Sequence, residues 1–153
     1  MTTPTIVPAG FAGDGTDYNK VKRDPTGAAR AVKGTVTVPS ATAVGAFVGL
    51  VPFQKGARFT VGDKSVHITD IDTGTDSLVN LGIIYDSASF TDDVDAFASA
   101  STAGQAGGFV AIDEVEGMTL ITDGNGWLAL ENDANITEAE GTVTFDVLVS
   151  YDS

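Results

Sequence analysis

The sequence predicts an all-β, mainly antiparallel fold: a β-sandwich or barrel of about eight to nine short strands. One short helix is expected near residues 92–100, and an extended N-terminal arm precedes the body. Three observations carry this prediction. From about residue 32 onward, apolar and polar side chains alternate with a period of two, the strand repeat. Clusters of Gly, Pro, Asn and Asp interrupt that alternation at spacings of roughly 8–12 residues. Residues 1–31 hold neither the strand nor the helix period, and they carry Pro4, Pro8, Pro25, Gly10, Gly13, Gly15 and Gly27. The chain therefore divides into an arm, 1–31, and a single β-rich domain, 32–153.

The strands follow in order. Thr35-Val36-Thr37-Val38 alternates and Pro39 closes it. Ala46 to Phe53 is an apolar run with Phe47, Gly49, Val51 and Phe53 expected on one face, and Pro52 makes it a poor central strand. After the turn Gln54-Lys55-Gly56, Ala57, Phe59 and Val61 oppose Arg58 and Thr60, and after Gly62-Asp63-Lys64, Val66 and Ile68 oppose His67 and Thr69. Val79, Leu81, Ile83 and Tyr85 share a face in 78–85. Phe109 to Ile112, Met118 to Ile121 and Trp127 to Leu130 are read as short strands, the last two joined by the hairpin signal Asp123-Gly124-Asn125-Gly126. The final run sets Val143, Phe145, Val147, Val149 and Tyr151 against Thr142, Thr144, Asp146 and Ser150. Thr91-Asp92-Asp93 offers an N-cap and a negatively charged first turn, and Val94, Phe97 and Ala98 fall on one helical face. These residues predict the helix, stopped by Gly104, Gly107 and Gly108.

Composition bounds the chemistry. The 153 residues are 42% apolar and only 19% charged, which excludes a disordered, solvating chain. A net charge of −13 disfavours general binding to nucleic acid, whose phosphates it would repel. With no cysteine there is no disulfide, thiolate metal site or cysteine nucleophile, and the lone His67 leaves no multi-histidine site. No apolar run approaches the ~18–20 residues of a membrane helix. The opening residues lack the cationic start and apolar block of an export signal, so no secretion is expected. No catalytic residue, cofactor or metal is expected.

The charge is also unevenly distributed. All eight basic residues lie in the first 64 positions, alongside only four acids, and the remaining 89 residues hold seventeen acids and no Lys or Arg. Such a chain can present a basic end to an acidic support while an acidic body faces solvent. The arm supplies anchors suited to docking: Phe11, Tyr18, Lys20, Lys22 and Arg23, continued by Arg30 and Lys33.

The remaining motifs have plain explanations. Asp70-Ile71-Asp72-Thr73-Gly74-Thr75-Asp76 spaces carboxylates like a calcium loop, but Thr75 and Leu81 stand where glycine and a bidentate glutamate are needed. An Asp- and Gly-rich turn accounts for it. Asp113, Glu114 and Glu116 lie too close in sequence to frame a glycosidic bond and read as a solvated turn. Asn135-Ile136-Thr137 matches the glycosylation triplet, which carries no meaning without export. His67 reads as a solvated or interface residue, and Trp127 as core or a sugar-stacking ring.

Two longer stretches carry a resemblance. Val38-Pro39-Ser40-Ala41-Thr42-Ala43-Val44-Gly45 and Val48-Gly49-Leu50-Val51-Pro52-Phe53-Gln54-Lys55-Gly56-Ala57 resemble segments of small structural proteins of tailed bacteriophages. So do Asp70-Ile71-Asp72-Thr73-Gly74, Leu81-Gly82-Ile83-Ile84-Tyr85-Asp86, and Asp95-Ala96-Phe97 leading into Gln105-Ala106-Gly107-Gly108. The resemblance covers most of 33–151 and is to capsid decoration (cement) proteins. It implies a non-enzymatic β-rich virion protein, a homotrimer by preference, assembled in the host cytoplasm. Such a protein sits on the capsid exterior and bridges major capsid protein subunits, with no nucleic-acid or membrane partner. The alternatives are a tail- or fibre-associated virion protein, or a carbohydrate-binding β-sandwich using Trp127 or Tyr85.

Overall fold

The structure is a computed structural model that describes residues 2–11, 28–72 and 74–151. Alternation becomes architecture most directly at the C-terminus. The last strand, β9 (Gly141–Tyr151), buries Val143, Phe145, Val147, Val149 and Tyr151, while Thr144, Asp146 and Leu148 stay exposed. It is the spine of a five-stranded sheet. β1 (Arg30–Val38) pairs antiparallel along one side of β9, from Arg30 opposite Val149 to Val38 opposite Gly141. Along the other side lie β3 (Ala57–Thr60) and β4 (Val66–Ile68), end to end, separated by the turn around Gly62-Asp63-Lys64. A two-residue strand, β7 (Gly108–Phe109), pairs with β4 and closes that edge.

The second sheet has four strands in the order β2-β8-β5-β6. These are β2 (Phe47–Phe53), β8 (Gly126–Ala134), β5 (Leu78–Tyr85) and β6 (Asp93–Ser101). All its pairings are antiparallel. Pro52, which lacks a ladder donor, is accommodated because β2 is an edge strand. The two sheets face each other in a sandwich-like arrangement. Val36, Phe59, Ile68, Phe145 and Val147 from one meet Leu50, Phe53, Leu81, Ile83, Phe97 and Leu128 from the other. Expected and observed agree on an all-β, mainly antiparallel fold of nine strands with one short helix.

Three local expectations are corrected. The helix expected over 92–100 is strand β6, and the short helix lies beyond it at Ala103–Ala106 (α1). The acids that resembled a helix start are used elsewhere: Asp92 accepts the Tyr85 N–H (2.7 Å) and the Thr2 hydroxyl (2.5 Å). A nine-residue helix is marginal by itself, and pairing with β5 wins. Second, Met118 to Ile121 is no strand; a 3-10 turn spans Glu116–Met118, and the chain runs on without pairing to β8. Third, β2 does not keep Phe47, Gly49, Val51 and Phe53 on one face. A bulge between Gly49 and Val51 turns Val51 and Phe53 into the core, while Phe47 packs outside against the Trp127 cluster.

Candidate functional site

Of the residues predicted to dock, the three described ones, Phe11, Arg30 and Lys33, fall on two opposite faces of the sandwich. Phe11 belongs to the first. Residues 2–11 run across the outer face of the four-stranded sheet and are tied to it by backbone bonds. The Thr2 N–H donates to Tyr85 O (3.0 Å), Thr5 N–H to Phe47 O (3.3 Å), and Gly49 N–H to Ile6 O (2.8 Å), with Ile6 bridged in parallel to Val48. Pro4 and Pro8 are buried, and the Phe11 ring meets Trp127 edge-on at 5.6 Å. This outer cluster holds Ile84, Trp127 and Ala129, covered by Val7, Phe11, Phe47 and Val94. Trp127 is 0% exposed and Tyr85 only 5%, so neither ring offers a face for sugar stacking. Composition alone gave no sign of this packing, since Pro and Gly mark a segment that needs a surface to order it. The nearest signal was Pro4, Ile6 and Pro8, alternate apolar residues that could line one side of an extended strap.

Arg30 and Lys33 belong to the second face. Both lie in β1, where Lys33 pairs with Asp146 across the sheet (3.4 Å), both side chains being exposed. Around them the same sheet carries Arg58 on β3 and Lys64 in the following turn. A shallow hollow of about 730 Å³ lies here, lined by Ala31, Lys33, Asp63, Lys64, Asp146 and Leu148. Tyr18, Lys20, Lys22 and Arg23 lie outside the described residues.

The acidic motifs are held by local bonding. The Asp72 carboxylate accepts N–H bonds from Gly74 (2.9 Å), Asp76 (2.8 Å) and Ser77 (2.7 Å), which makes it the organiser of a tight loop. The Gly74 N–H first, then that of Ser77, holds its pKa below the ordinary 3.8. Asp113 accepts the Ser99 N–H (3.0 Å). Asp93, Asp95, Glu114 and Glu116 surround a hollow of about 160 Å³, where partial burial and then the neighbouring Asp95 raise the Asp93 pKa. Burial likewise raises Tyr85, whose hydroxyl accepts the Asp123 N–H at 3.3 Å. His67 is half-buried and stands edge-on to Phe109 at 4.9 Å. Among the described residues no group of three or more His, Cys, Asp or Glu could hold a metal ion, and no helix is long and apolar enough to cross a membrane.

No protein-family model matches the chain, and no curated protein matches it. Two solved structures share its fold. A chain from the capsid of Ralstonia phage GP4 superposes with a TM-score of 0.63 at 20% identity, covering 83% of this chain and 86% of that one. A chain from the cyanophage Pam1 capsid asymmetric unit gives a TM-score of 0.50, also at 20% identity, covering 82% and 85%. This two-sheet fold is therefore similar to that of chains found in phage capsids.

Proposed function

We propose that the protein is a non-enzymatic bacteriophage virion protein of the capsid decoration (cement) type, bridging major capsid protein subunits on the head exterior. The observation that carries this reading is the fold, shared over more than four-fifths of the chain with components of two phage capsids. The charge arrangement supports it: the cations of β1, β3 and the intervening turns gather on one sheet, and seventeen acids occupy the rest of the sequence. A cement protein needs a soluble body, a docking side and no reaction centre. In this reading Tyr18, Lys20, Lys22 and Arg23 add an electrostatic grip next to Arg30 and Lys33, and a homotrimer multiplies weak contacts into avidity.

The test is to add the purified chain to phage heads assembled without it and to separate bound from free protein by sedimentation. Saturable binding, with added density on the outside of the shell by electron cryomicroscopy, is expected. Binding should weaken on raising salt from 50 to 500 mM, because the grip is ionic. Absence of the chain from heads, or its recovery with tails or fibres, would refute the decoration role.

A further inference from the structure

Among the described residues the edge strands other than β1 are protected; on β3, the Thr122 N–H donates to Ala57 O (2.9 Å) and the Ala57 N–H to Thr122 Oγ1 (2.9 Å). On β2, Thr5 and Ile6 bond to Phe47 and Gly49. On β6, the Phe97 carbonyl accepts the N–H groups of Asp113 and Glu114, both at 3.2 Å. β7 is only two residues long, itself a form of protection. The edge of β1 is different. β1 runs nine residues, about 30 Å of strand, and its pairing with β9 uses one side only. Among the described residues no backbone bond reaches its other side between Ala31 and Val38. Its residues suit a strand interior: Val32, Thr35, Val36, Thr37 and Val38 are β-branched. An uncovered edge of this length and composition is a template for another strand.

Charge selects what that strand can be. Five cations fall among the described residues: Arg30, Lys33, Lys55, Arg58 and Lys64. Two of them are on β1, and the others lie on β3 or in the turns bounding it. The hollow on the outer face of this sheet is itself charge-balanced, with Lys33 and Lys64 beside Asp63 and Asp146, so the positive excess comes from Arg30 on β1 with Lys55 and Arg58. A second copy of this chain would set a like-charged β1 against this one, and so is disfavoured at this edge.

We propose that the open edge of β1 accepts an added strand from an extended acidic segment of a capsid subunit. The partner's identity as a capsid subunit rests on the function proposed above.

The experiment is hydrogen–deuterium exchange on the full-length chain, free and bound to heads assembled without it. Amides between Ala31 and Val38 that point away from β9 exchange freely in the unbound protein and should slow by at least about tenfold on binding. Binding without new protection in 31–38 overturns the strand-addition site and leaves the decoration role standing; no binding at all overturns both. Protection of 31–38 that rises with concentration of the chain alone makes a second copy the occupant and overturns the proposal. The variant Lys33→Glu with Lys64→Glu tests the charge selection. Lys33→Glu sets like charges opposite each other at Asp146, but both substituted side chains are exposed, so the melting temperature should fall only slightly while affinity for heads falls about tenfold. Unchanged affinity removes the acidic partner.

Discussion

Phe11 and Trp127 lie edge to face, with ring centroids 5.6 Å apart and planes at 81°, although they are separated by most of the chain. The contact joins the N-terminal strap to the outer surface of the four-stranded sheet and buries the single tryptophan, whose indole N–H has no partner among the described residues. Phe11→Ala should therefore expose the indole. We expect a red shift in intrinsic fluorescence and a loss of about 1–3 kcal/mol in denaturant unfolding, from the lost ring pair and buried area. An unshifted spectrum would mean the strap does not cover Trp127 in solution.

Gly49 and Gly82 allow two close approaches of different kinds. A Cβ on Gly49 would sit 2.6 Å from the Trp127 ring and 2.8 Å from the Pro4 ring, and Pro4 can move away. Gly49→Ala should displace the strap at a cost of about 1–3 kcal/mol, with the same fluorescence shift. A Cβ on Gly82 would lie 2.1 Å from the Asp93 carbonyl oxygen, so β5 and β6 would have to part. Gly82→Ala should cost more than about 3 kcal/mol or prevent folding. Equal thermal shifts for the two variants would contradict this ordering.

The pH dependence should differ between two aspartates. The Asp72 pKa is depressed in the fold, first by the Gly74 N–H. Its stabilisation is thus fully present above the unfolded value, near 3.8, and is lost as pH falls through the lower folded value. Asp72→Asn should be destabilised at neutral pH and lose less stability on acidification than the parent. Asp93 is the opposite case: burial raises its pKa, so its ionised form opposes folding above that value. Asp93→Asn should raise the melting temperature at pH 7, with the gain shrinking as pH falls through the raised folded value and gone below the unfolded value near 3.8. Melting curves from pH 3 to 8 on the three proteins check both signs.

Asn132 ties two loops to β8. Its Nδ2 donates to the carbonyls of Thr42 (3.1 Å), Ala43 (3.1 Å) and Asn135 (2.8 Å) from a site only 5% exposed. In Asn132→Ala the Thr42 and Ala43 carbonyls keep the Thr137 and Ala46 N–H donors (3.1 and 3.2 Å) while Asn135 O loses the amide, and a loss of about 1–2 kcal/mol in denaturant unfolding is expected. A change under about 0.5 kcal/mol would indicate that water replaces the amide.

Strand identity was legible wherever alternation was uninterrupted. Ala57 and Phe59 against Arg58 and Thr60, Val79 to Tyr85, and Val143 to Tyr151 bury the faces the alternation indicates. It was misleading where a residue's partner lay far away in sequence. Asp92 resembled a helix cap because the Tyr85 N–H and the Thr2 hydroxyl that it binds could not be seen. The bulge in β2 was hidden for the same reason, since it arises from pairing with β8. The predicted docking residues were only partly placed: Phe11 and Lys33 lie on opposite outer faces, a separation invisible in a linear list.

Composition and periodicity settled that this chain builds an antiparallel β fold and concentrates its cations near one end, because side-chain period and charge are properties of neighbouring residues. Which strands share a sheet, that residues 2–11 lie along β2 and cover Trp127, and that no other described strand pairs with the outer side of β1 were settled by packing alone. Those outcomes depend on backbone bonds and apolar contacts between residues distant in sequence. No local pattern encodes them.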